Sequence, residues 1–406
     1  MKKCLICGNE VEEIIDFGEM PIANGFLKES QFASEKRYPL KVGVCPVCSM
    51  VQLTEIVDRE EMFNENYAYF ASTSRRMCEH FEEFADWAIK NYLSDTPFVV
   101  EIGSNDGIML QNYAKRNIKH LGIEPSANVA DVAIKKGVNT KICFFDKENA
   151  EIIRNEYGEA DIIAGTNVMC HLPYIHSVFD GVKELLKPNG VLIFEDPYVG
   201  DIVERTSYDQ IYDEHAFYFS VTSVSYLAKM HGFEVIDALH QEVHGGSMRY
   251  IIAREGTRDI SDNVKMLIAK EKQQGLDRIE TYRQFAANVE KNKNDLLKLL
   301  KSLKEEGKRI VGYGATSKST TVLNYCNIGP EYIEYISDTT PIKQGKFTPG
   351  MHIPVKDYSE FENNYPEYAL LFAWNHGKEI MDNEKKFKEA GGKFILYVDG
   401  VRIDER

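Results

Sequence analysis

The sequence predicts an α/β protein of several domains, built around one large parallel sheet. Residues 98–255 alternate short apolar strands with helical segments, which is typical of a parallel sheet covered by helices on both faces. Two closely spaced cysteine pairs come before this region, and a shorter strand-helix alternation follows it from residue 308. A chain of 406 residues also exceeds the usual size of a single hydrophobic core. We therefore expect a β-rich head over 1–60, a central domain over 61–255, connecting helices over 256–307 and a smaller α/β domain over 308–406.

The composition indicates a soluble protein and argues against nucleic acid and membrane as partners. Hydrophobic residues make up 43% of the chain, and no run approaches the roughly 20 apolar residues that cross a bilayer. The N-terminus lacks the apolar stretch of a secretory signal, so we expect a cytoplasmic protein without a membrane partner. The net charge of −15, from 63 acidic and 48 basic residues, argues against nucleic acid as a partner. A phosphorylated small ligand remains compatible with this charge, because a few local donors can hold it.

The head carries the pattern of a four-thiolate zinc site. Cys4 and Cys7 form one CxxC pair, and Cys45 and Cys48 form the second. Each pair is followed by a short alternating segment, which predicts small hairpins with little apolar core. Four thiolates complete a tetrahedral zinc site and leave no open position, so we expect a structural metal. A redox CxxC or two disulfides are the alternatives, and both are less typical of a cytoplasmic chain.

The first strand-to-helix corner of the central domain has the residues of an adenosine site. An apolar strand from Phe98 ends at Glu101, and small or polar residues follow it before the next helix: Gly103, Ser104, Asn105 and Gly107. Glycines there allow a tight turn and a close approach by a ligand. Glu124 ends the next strand, where a carboxylate can accept both ribose hydroxyls. A dinucleotide site is the alternative, but it requires G-x-G-x-x-G, which this corner lacks.

Later segments of the central domain add further candidates. Asn167 follows the fourth strand, at the sheet edge where ligands bind. Phe145 and Asp146 border the adenine in one interpretation, and are a core aromatic and a helix cap in the other. The last two strands, over 233–239 and 248–254, are joined by a glycine turn. They must be antiparallel, which predicts a reversed strand at the end of the sheet.

A histidine beside carboxylates is the candidate general base. His215 follows Tyr212, Asp213 and Glu214 on a predicted loop, and its ordinary pKa suits proton abstraction near neutral pH. A solvated loop histidine is the alternative. His171, after the fourth strand, is either a substrate contact or a helix-start histidine that bonds to backbone.

The C-terminal domain opens with a second candidate site. Gly314, Ser317 and Lys318 lie between a short strand and a helical segment, where hydroxyls, a helix N-terminus and a lysine suit a pyrophosphate. A purely architectural domain is the alternative, and Ser337 and Asp338 at the next strand end are compatible with simple turn chemistry.

The order of these parts resembles the class I methyltransferases. Their first motif is similar to EIGSNDG at 101–107, their second-strand acid to Glu124, and their loop before strand five to LLKPNG at 185–190. The resemblance covers residues 98–255 and implies a Rossmann-like core with S-adenosylmethionine as cofactor. Its binding would involve the residues of the corner and the following strands: Glu101, Gly103, Ser104, Asn105, Gly107, Glu124 and Asn167.

A second resemblance runs over the whole chain. The CxxC pairs, YAYFASTS at 67–74, YDEHAFYFS at 212–220 and HGGSMR at 244–249 resemble the three-domain sugar C-methyltransferases. Members of that family act on nucleotide-linked keto-deoxysugars of the 3-C-methyl type. The resemblance therefore implies a zinc-binding head, a methyltransferase core, and a C-terminal Rossmann-like domain that helps to bind the nucleotide-sugar through Gly314, Ser317 and Lys318.

The same resemblance implies roles around the acceptor carbon. His215 would be the base, Glu214 its orienting partner, and Tyr69, His171 and Tyr212 would hold or polarise the keto-sugar, with Tyr67 as an alternative to Tyr69. The alternatives are an O- or N-methyltransferase on a related sugar, a non-catalytic nucleotide-sugar or nucleic-acid binding module, and a dehydrogenase that uses the C-terminal glycines.

Overall fold

The head forms a small antiparallel sheet that borrows a strand from the central domain. The computed structural model describes residues 2–62, 71–73 and 75–404. The first elements are β1 (Glu12–Pro21), β2 (Arg37–Val44), β3 (Val51–Leu53) and the short helix α1 (Arg59–Met62). The sheet order is β1, β2, β3 and then Phe217–Tyr218, which the central domain supplies. The head is thus joined to the segment that carries His215.

The central domain has the alternating order of elements that the sequence predicts. Its elements are α2 (Arg75–Tyr92), β4 (Phe98–Ile102), α3 (Leu110–Ala114), β5 (Lys119–Ile123), α4 (Ala127–Lys135), β6 (Thr140–Lys141), α5 (Lys147–Tyr157), β7 (Ala160–Thr166), α6 (Ile175–Leu185), β8 (Leu186–Pro197), α7 (Val199–Arg205), β9 (Phe217–Tyr218), α8 (Val221–Met230), β10 (Phe233–Gln241) and β11 (Ser247–Arg254). The predicted apolar face of α2 is buried at Met77, Phe81, Phe84 and Ala88.

The reversed strand of the large sheet is not at its edge. The sheet order is β10, β11, β8, β7, β4, β5, β6, and β11 is antiparallel to both of its neighbours. The last strand of the central domain, β11, therefore lies between β8 and the edge strand β10, which runs parallel to β8. Its eight residues are almost completely buried. Because the strand lies inside the sheet, both of its edges are hydrogen-bonded to neighbouring strands.

A buried ion cluster fastens α2 to the carboxyl end of β8. Glu195 is 1% exposed and accepts hydrogen bonds from Arg249 of β11 at 2.9 Å and from His80 of α2 at 2.6 Å. The Arg249 guanidinium also lies over the rings of Phe84 and Trp87. Because a buried carboxylate needs compensation, these contacts fix the position of α2 against the sheet.

Two helices connect the central domain to the last one. They are α9 (Asp262–Gln274) and α10 (Ile279–Glu305), in agreement with the predicted connecting helices. The C-terminal elements follow: β12 (Ile310–Tyr313), α11 (Ser317–Tyr325), β13 (Ile336–Ser337), β14 (Val355–Lys356), α12 (Tyr358–Asn363), β15 (Tyr368–Leu371), α13 (Gly377–Asn383), α14 (Lys385–Glu389), β16 (Lys393–Leu396) and β17 (Arg402–Ile403). Their sheet order is β14, β13, β12, β15, β16, β17, and only β17 is reversed. Within the described part of the chain, no helix has both the length and the apolar character that a membrane crossing needs.

Candidate active site and metal centre

The four predicted cysteine ligands meet in the head. Their sulfur atoms all lie within 4.8 Å of one another. The Sγ atoms of Cys4 and Cys48 are 3.5 Å apart, and those of Cys7 and Cys45 are 3.4 Å apart. A disulfide would bring two sulfurs to about 2.05 Å, so neither pair is a disulfide. Zn–S bonds of about 2.3 Å place tetrahedral ligands roughly 3.8 Å apart, and the cysteine cluster fits a structural zinc ion.

One cavity connects the central sheet with the head and the C-terminal domain. Its wall includes the carboxyl ends of β4, β5 and β7, the segment before β9, and the N-terminus of α11. Residues from all three regions line it: Asn24, Met77, Phe81, Glu101, Gly103, Ser104, Asn105, Glu124, Phe145, Asn167, His171, Gln210, Tyr212, Glu214, His215, His244, Thr316, Ser317, Lys318, Asn375 and His376. Most predicted site residues are therefore brought together.

The corner after β4 forms a close-fitting end of this cavity. Gly103 has φ +64°, and a Cβ there would lie 2.5 Å from Cγ2 of Val168. The Glu124 carboxylate accepts hydrogen bonds from the backbone N–H of Asn105 at 2.9 Å and of Ser126 at 2.8 Å. Glu124 is thus held rigidly in the cavity wall, with carboxylate lone pairs remaining for hydroxyl donors.

Glu101 supplies a buried acceptor beside Glu124. It is 1% exposed, and its Oε2 has no hydrogen-bond partner among the described residues. Burial raises the pKa of Glu101 well above its ordinary value, and the neighbouring Glu124 and Asp106 carboxylates add to this. An acidic, unsatisfied wall next to a rigid carboxylate fits a ligand that brings donors or positive charge, as the ammonium and ribose hydroxyls of S-adenosylmethionine do.

Gly107 has a packing role and does not line the cavity. Its φ is +77°, and a Cβ would lie 2.9 Å from Cγ2 of Val138. It therefore allows the chain to pass close to the end of α4. This packing gives a structural reason for the glycine that does not depend on the predicted contact with the cofactor. Asp146 caps α5 by accepting from the N–H of Asn149, while the buried Phe145 lines the cavity. Asp146 is therefore a helix cap, whereas Phe145 belongs to the hydrophobic core and to the cavity wall at once.

His215 lines the cavity and is nearly completely buried. Its Nδ1 is 2.8 Å from the backbone carbonyl of Gln210, which can only accept, so Nδ1 carries the hydrogen. The lone pair is then on Nε2. The ring stacks on His171 at a centroid distance of 5.1 Å and lies 4.1 Å from the ring of Tyr212.

Burial keeps both imidazoles neutral. It lowers the pKa of His215 well below its ordinary value, and the adjacent His171 lowers it further. Burial also lowers the pKa of His171 to about 4. A neutral imidazole at physiological pH is the form that can accept a proton, so the predicted solvated loop histidine does not describe His215.

The predicted orienting partner of His215 is replaced. The carbonyl of Gln210 occupies Nδ1, whereas Oε1 of Glu214 accepts from Nδ2 of Asn24 at 2.6 Å. The backbone supplies the orienting contact because the turn before β9 folds the chain back on itself over five residues. Tyr69 and its alternative Tyr67 lie outside the described residues.

A second group of possible metal ligands consists of the histidine pair and a cysteine. The ligand atoms of Cys170, His171 and His215 are within 4.8 Å of one another. Burial and the neighbouring Asp196 raise the pKa of the Cys170 thiol well above its ordinary value. All three side chains are buried, and Nδ1 of His215 is occupied by the Gln210 carbonyl, so we interpret this cluster as packing around the histidine pair.

The opposite end of the cavity is built on α11. Thr316 caps this helix by accepting from the N–H of Ser319, and Ser317 and Lys318 line the cavity. Nζ of Lys318 is 3.4 Å from the carbonyl of His244, and burial lowers the lysine pKa to about 8. A helix N-terminus with hydroxyls and a cation is suited to an anion.

Gly314 does not line the described cavity. It has φ +88°, and a Cβ would lie 2.8 Å from Cβ of Ala373. It permits the tight approach of two strand ends instead of a ligand. Asp338 holds the same turn by accepting from the N–H of Ala315 at 2.7 Å, as the turn-chemistry interpretation expects.

Comparison with known proteins decides the family. The chain is 34% identical to "C-methyltransferase NovU" of Streptomyces niveus over 405 residues, which cover 99% of this chain and 96% of that protein. The chain belongs to the C-methyltransferase family. A ubiquinone biosynthesis O-methyltransferase of Shewanella halifaxensis is 26% identical over 98 residues, 24% of this chain and 42% of that protein.

Family models divide this C-methyltransferase into three matched stretches. A putative zinc binding domain matches residues 4–63, a methyltransferase domain matches 59–238, and a C-methyltransferase C-terminal domain matches 242–399. The protein is an S-adenosylmethionine-dependent C-methyltransferase with a Rossmann-like core and a zinc-binding head, as the sequence resemblance implies.

Several residues of the cavity wall were not predicted from local sequence patterns. They are Asn24, Gln210, Asn375 and His376, together with Thr316 and His244. His244 begins the HGGSMR segment and Thr316 precedes Ser317, so both had a nearby signal. Asn24 and Asn375 belong to other domains, and only tertiary structure brings them to the cavity.

Proposed function

We propose that this C-methyltransferase methylates a carbon next to the keto group of a nucleotide-linked keto-deoxysugar. The observation that carries the proposal is the buried, neutral His215 in one cavity with two different groups of binding residues. One end has the geometry of an adenosyl site at Gly103 and Glu124. The other end has the features of an anion site at Lys318 and the start of α11.

A carbon acceptor explains the need for such a base. A ring carbon is not nucleophilic, but a neighbouring ketone makes its hydrogen acidic, and loss of the proton gives an enolate. S-adenosylmethionine supplies an electrophilic methyl group when it is bound. In the proposal, Nε2 of His215 takes the α-proton, and the Gln210 carbonyl keeps that nitrogen unprotonated beforehand.

The histidine and tyrosine neighbours suit the developing enolate oxygen. Tyr212 lines the cavity beside His215, and we assign its hydroxyl, the His171 ring and Tyr69 of the undescribed segment to holding the keto group. Burial keeps His171 neutral, so it can donate one hydrogen bond without bringing a charge that would hinder protonation of His215.

The far end of the cavity supports a phosphorylated substrate. Lys318 and the hydroxyl-bearing N-terminus of α11 suit a diphosphate, with His244 and His376 in the adjoining wall. A nucleotide-sugar long enough to reach both ends would be held between the central and C-terminal domains. We also propose that the protein is cytoplasmic and that its chain is divided into the four segments that the sequence predicts.

A substrate screen tests the proposal. Purified enzyme is incubated with nucleotide-linked 4-keto-deoxysugars and methyl-labelled S-adenosylmethionine, and the products are analysed by mass spectrometry and NMR. We expect one labelled methyl group bonded to a ring carbon next to the ketone. A methyl group on oxygen or nitrogen, or transfer only to acceptors without a nucleotide, would contradict the proposal.

A further inference from the structure

The loop between β1 and β2 brings one side chain of the zinc-bearing head into the cavity. Asn24 lies in a tight turn, in which the N–H of Gly25 donates to the carbonyl of Ile22 at 3.0 Å. The neighbouring Ala23 donates its N–H to Oδ1 of Asp213 at 2.9 Å, and its carbonyl accepts from Thr320 at 2.9 Å. The turn is therefore fastened to both the central and the C-terminal domains.

The Asn24 amide bridges two other cavity residues. Nδ2 donates to Oε1 of Glu214 at 2.6 Å, and Oδ1 accepts from Oγ of Ser317 at 2.9 Å. Only one orientation of the amide satisfies both contacts, because its oxygen would repel the Glu214 carboxylate. The bridge thus joins the head, the residue next to His215, and the first residue of α11.

We infer that Asn24 is a positioning residue for methyl transfer, which acts by fixing the Glu214 carboxylate in the wall of the cavity that His215 also lines. The inference rests on the proposed function, in which proton abstraction makes His215 positively charged. Glu214 lines the same cavity as His215, so a carboxylate held there at a fixed place stabilises that charge more than a misplaced one does. Asn24 would also connect this carboxylate to Ser317, at the end of the cavity assigned to the diphosphate.

Two substitutions at Asn24 distinguish a role of its amide hydrogen bonds from a role in packing alone. Asn24→Ala removes the donor, and we expect kcat to fall at least about tenfold with KM for the sugar within about threefold, the size of effect expected for a hydrogen bond to a charged group. Asn24→Asp places two carboxylates 2.6 Å apart, so its kcat at pH 8 should fall further. Because the pair can share a proton, Asn24→Asp should recover relative to Asn24→Ala as the pH is lowered to 6.

Thr320→Val is the matched control. It removes the hydrogen bond to the Ala23 carbonyl in the same junction, keeps the side-chain shape, and leaves the Asn24 amide intact. We expect its kcat within about twofold of wild type. A Thr320→Val variant as slow as Asn24→Ala, or an Asn24→Asp variant without pH recovery, would overturn the inference, because docking of the head would then explain the loss.

A measurement without substrate completes the test. Crystal structures of the wild-type enzyme and Asn24→Ala should show the Glu214 carboxylate displaced in the variant, and an unchanged carboxylate would contradict the inference. Wild-type enzyme that methylates none of the keto-sugars would contradict the proposed function, while the position of Glu214 would still decide the role of Asn24.

Discussion

At the scale of single residues, burial sets the protonation states on which the chemistry depends. His215 and His171 are held neutral by burial, and burial lowers the pKa of Lys318 to about 8, so the lysine is charged at neutral pH but loses its charge just above it. The three groups line one cavity. The pH dependence of the reaction can therefore report both on proton abstraction and on anion binding.

We predict a bell-shaped pH dependence of kcat/KM for the sugar substrate. The pKa of His215 lies below its ordinary value near 6.5, so protonation of the base should reduce the rate only below that pH. The pKa of Lys318 is about 8, so the lysine loses its charge, and the anion its partner, as the pH rises through that value. Steady-state kinetics from pH 5 to 10 measure both limbs.

Lys318→Arg is the diagnostic variant for the alkaline limb. Arginine stays charged over this range, so the decline above about pH 8 should disappear while the acidic limb remains. Lys318→Met should raise KM about 10- to 100-fold at neutral pH, as expected for a lost charged hydrogen bond. An alkaline limb that persists unchanged in Lys318→Arg would show that another group titrates.

The chemical identity of the site was more predictable than its contacts. Residues of recognisable chemistry, such as His215, Glu124 and Lys318, stand out in the sequence because their types and local order suit a function. Their partners do not, because Asn24 is 190 residues from Glu214 and the Gln210 carbonyl belongs to no motif. The segment with Tyr67 and Tyr69 lies outside the described residues, and its role remains a prediction.

At the scale of elements, the corner between β4 and α3 depends on one glycine conformation. We predict that Gly103→Ala weakens S-adenosylhomocysteine binding at least tenfold, since its φ of +64° is left-handed and the new Cβ would meet Val168 at 2.5 Å. Gly158→Ala is the control, because Gly158 also has a positive φ but open space around it. Calorimetry measures both affinities, and equal affinities would refute the role of the corner.

Strand types were predictable because apolar runs and intervening helices have strong periodic signals. The place of β11 was not, because local sequence gives pairing direction through the glycine turn but does not say which edge a hairpin presents to β8. The pairing of the two-residue strand β9 was equally hidden. Its partner is β3 of the head, and the two segments are far apart in the chain.

At the scale of the whole molecule, the head contributes to the wall of the proposed active site in addition to stabilising its own fold. The β3–β9 pairing, the hydrogen bond from Leu53 N–H to the Ala216 carbonyl at 2.9 Å, and the Asn24 bridge all reach the His215 segment. Loss of the metal should therefore affect catalysis as well as folding.

We predict one zinc ion per chain, bound by the four-cysteine cluster, and coupled losses when it is removed. Cys48→Ala should lower the metal content, reduce Tm and decrease kcat, whereas Cys143→Ala, which changes a cysteine outside the cluster, should leave all three near wild type. Metal analysis, thermal unfolding and kinetics provide the readouts. Full activity in metal-free protein would contradict the coupling of head and site.

The central claim is that His215 removes the α-proton of a keto-sugar, and solvent exchange measures this step without methyl transfer. In D2O with the sugar and S-adenosylhomocysteine, wild-type enzyme should exchange the α-proton, as followed by NMR. His215→Asn should bind S-adenosylhomocysteine with unchanged affinity and show neither exchange nor methylation. Exchange and methylation by His215→Asn at rates near those of the wild-type enzyme would contradict the account.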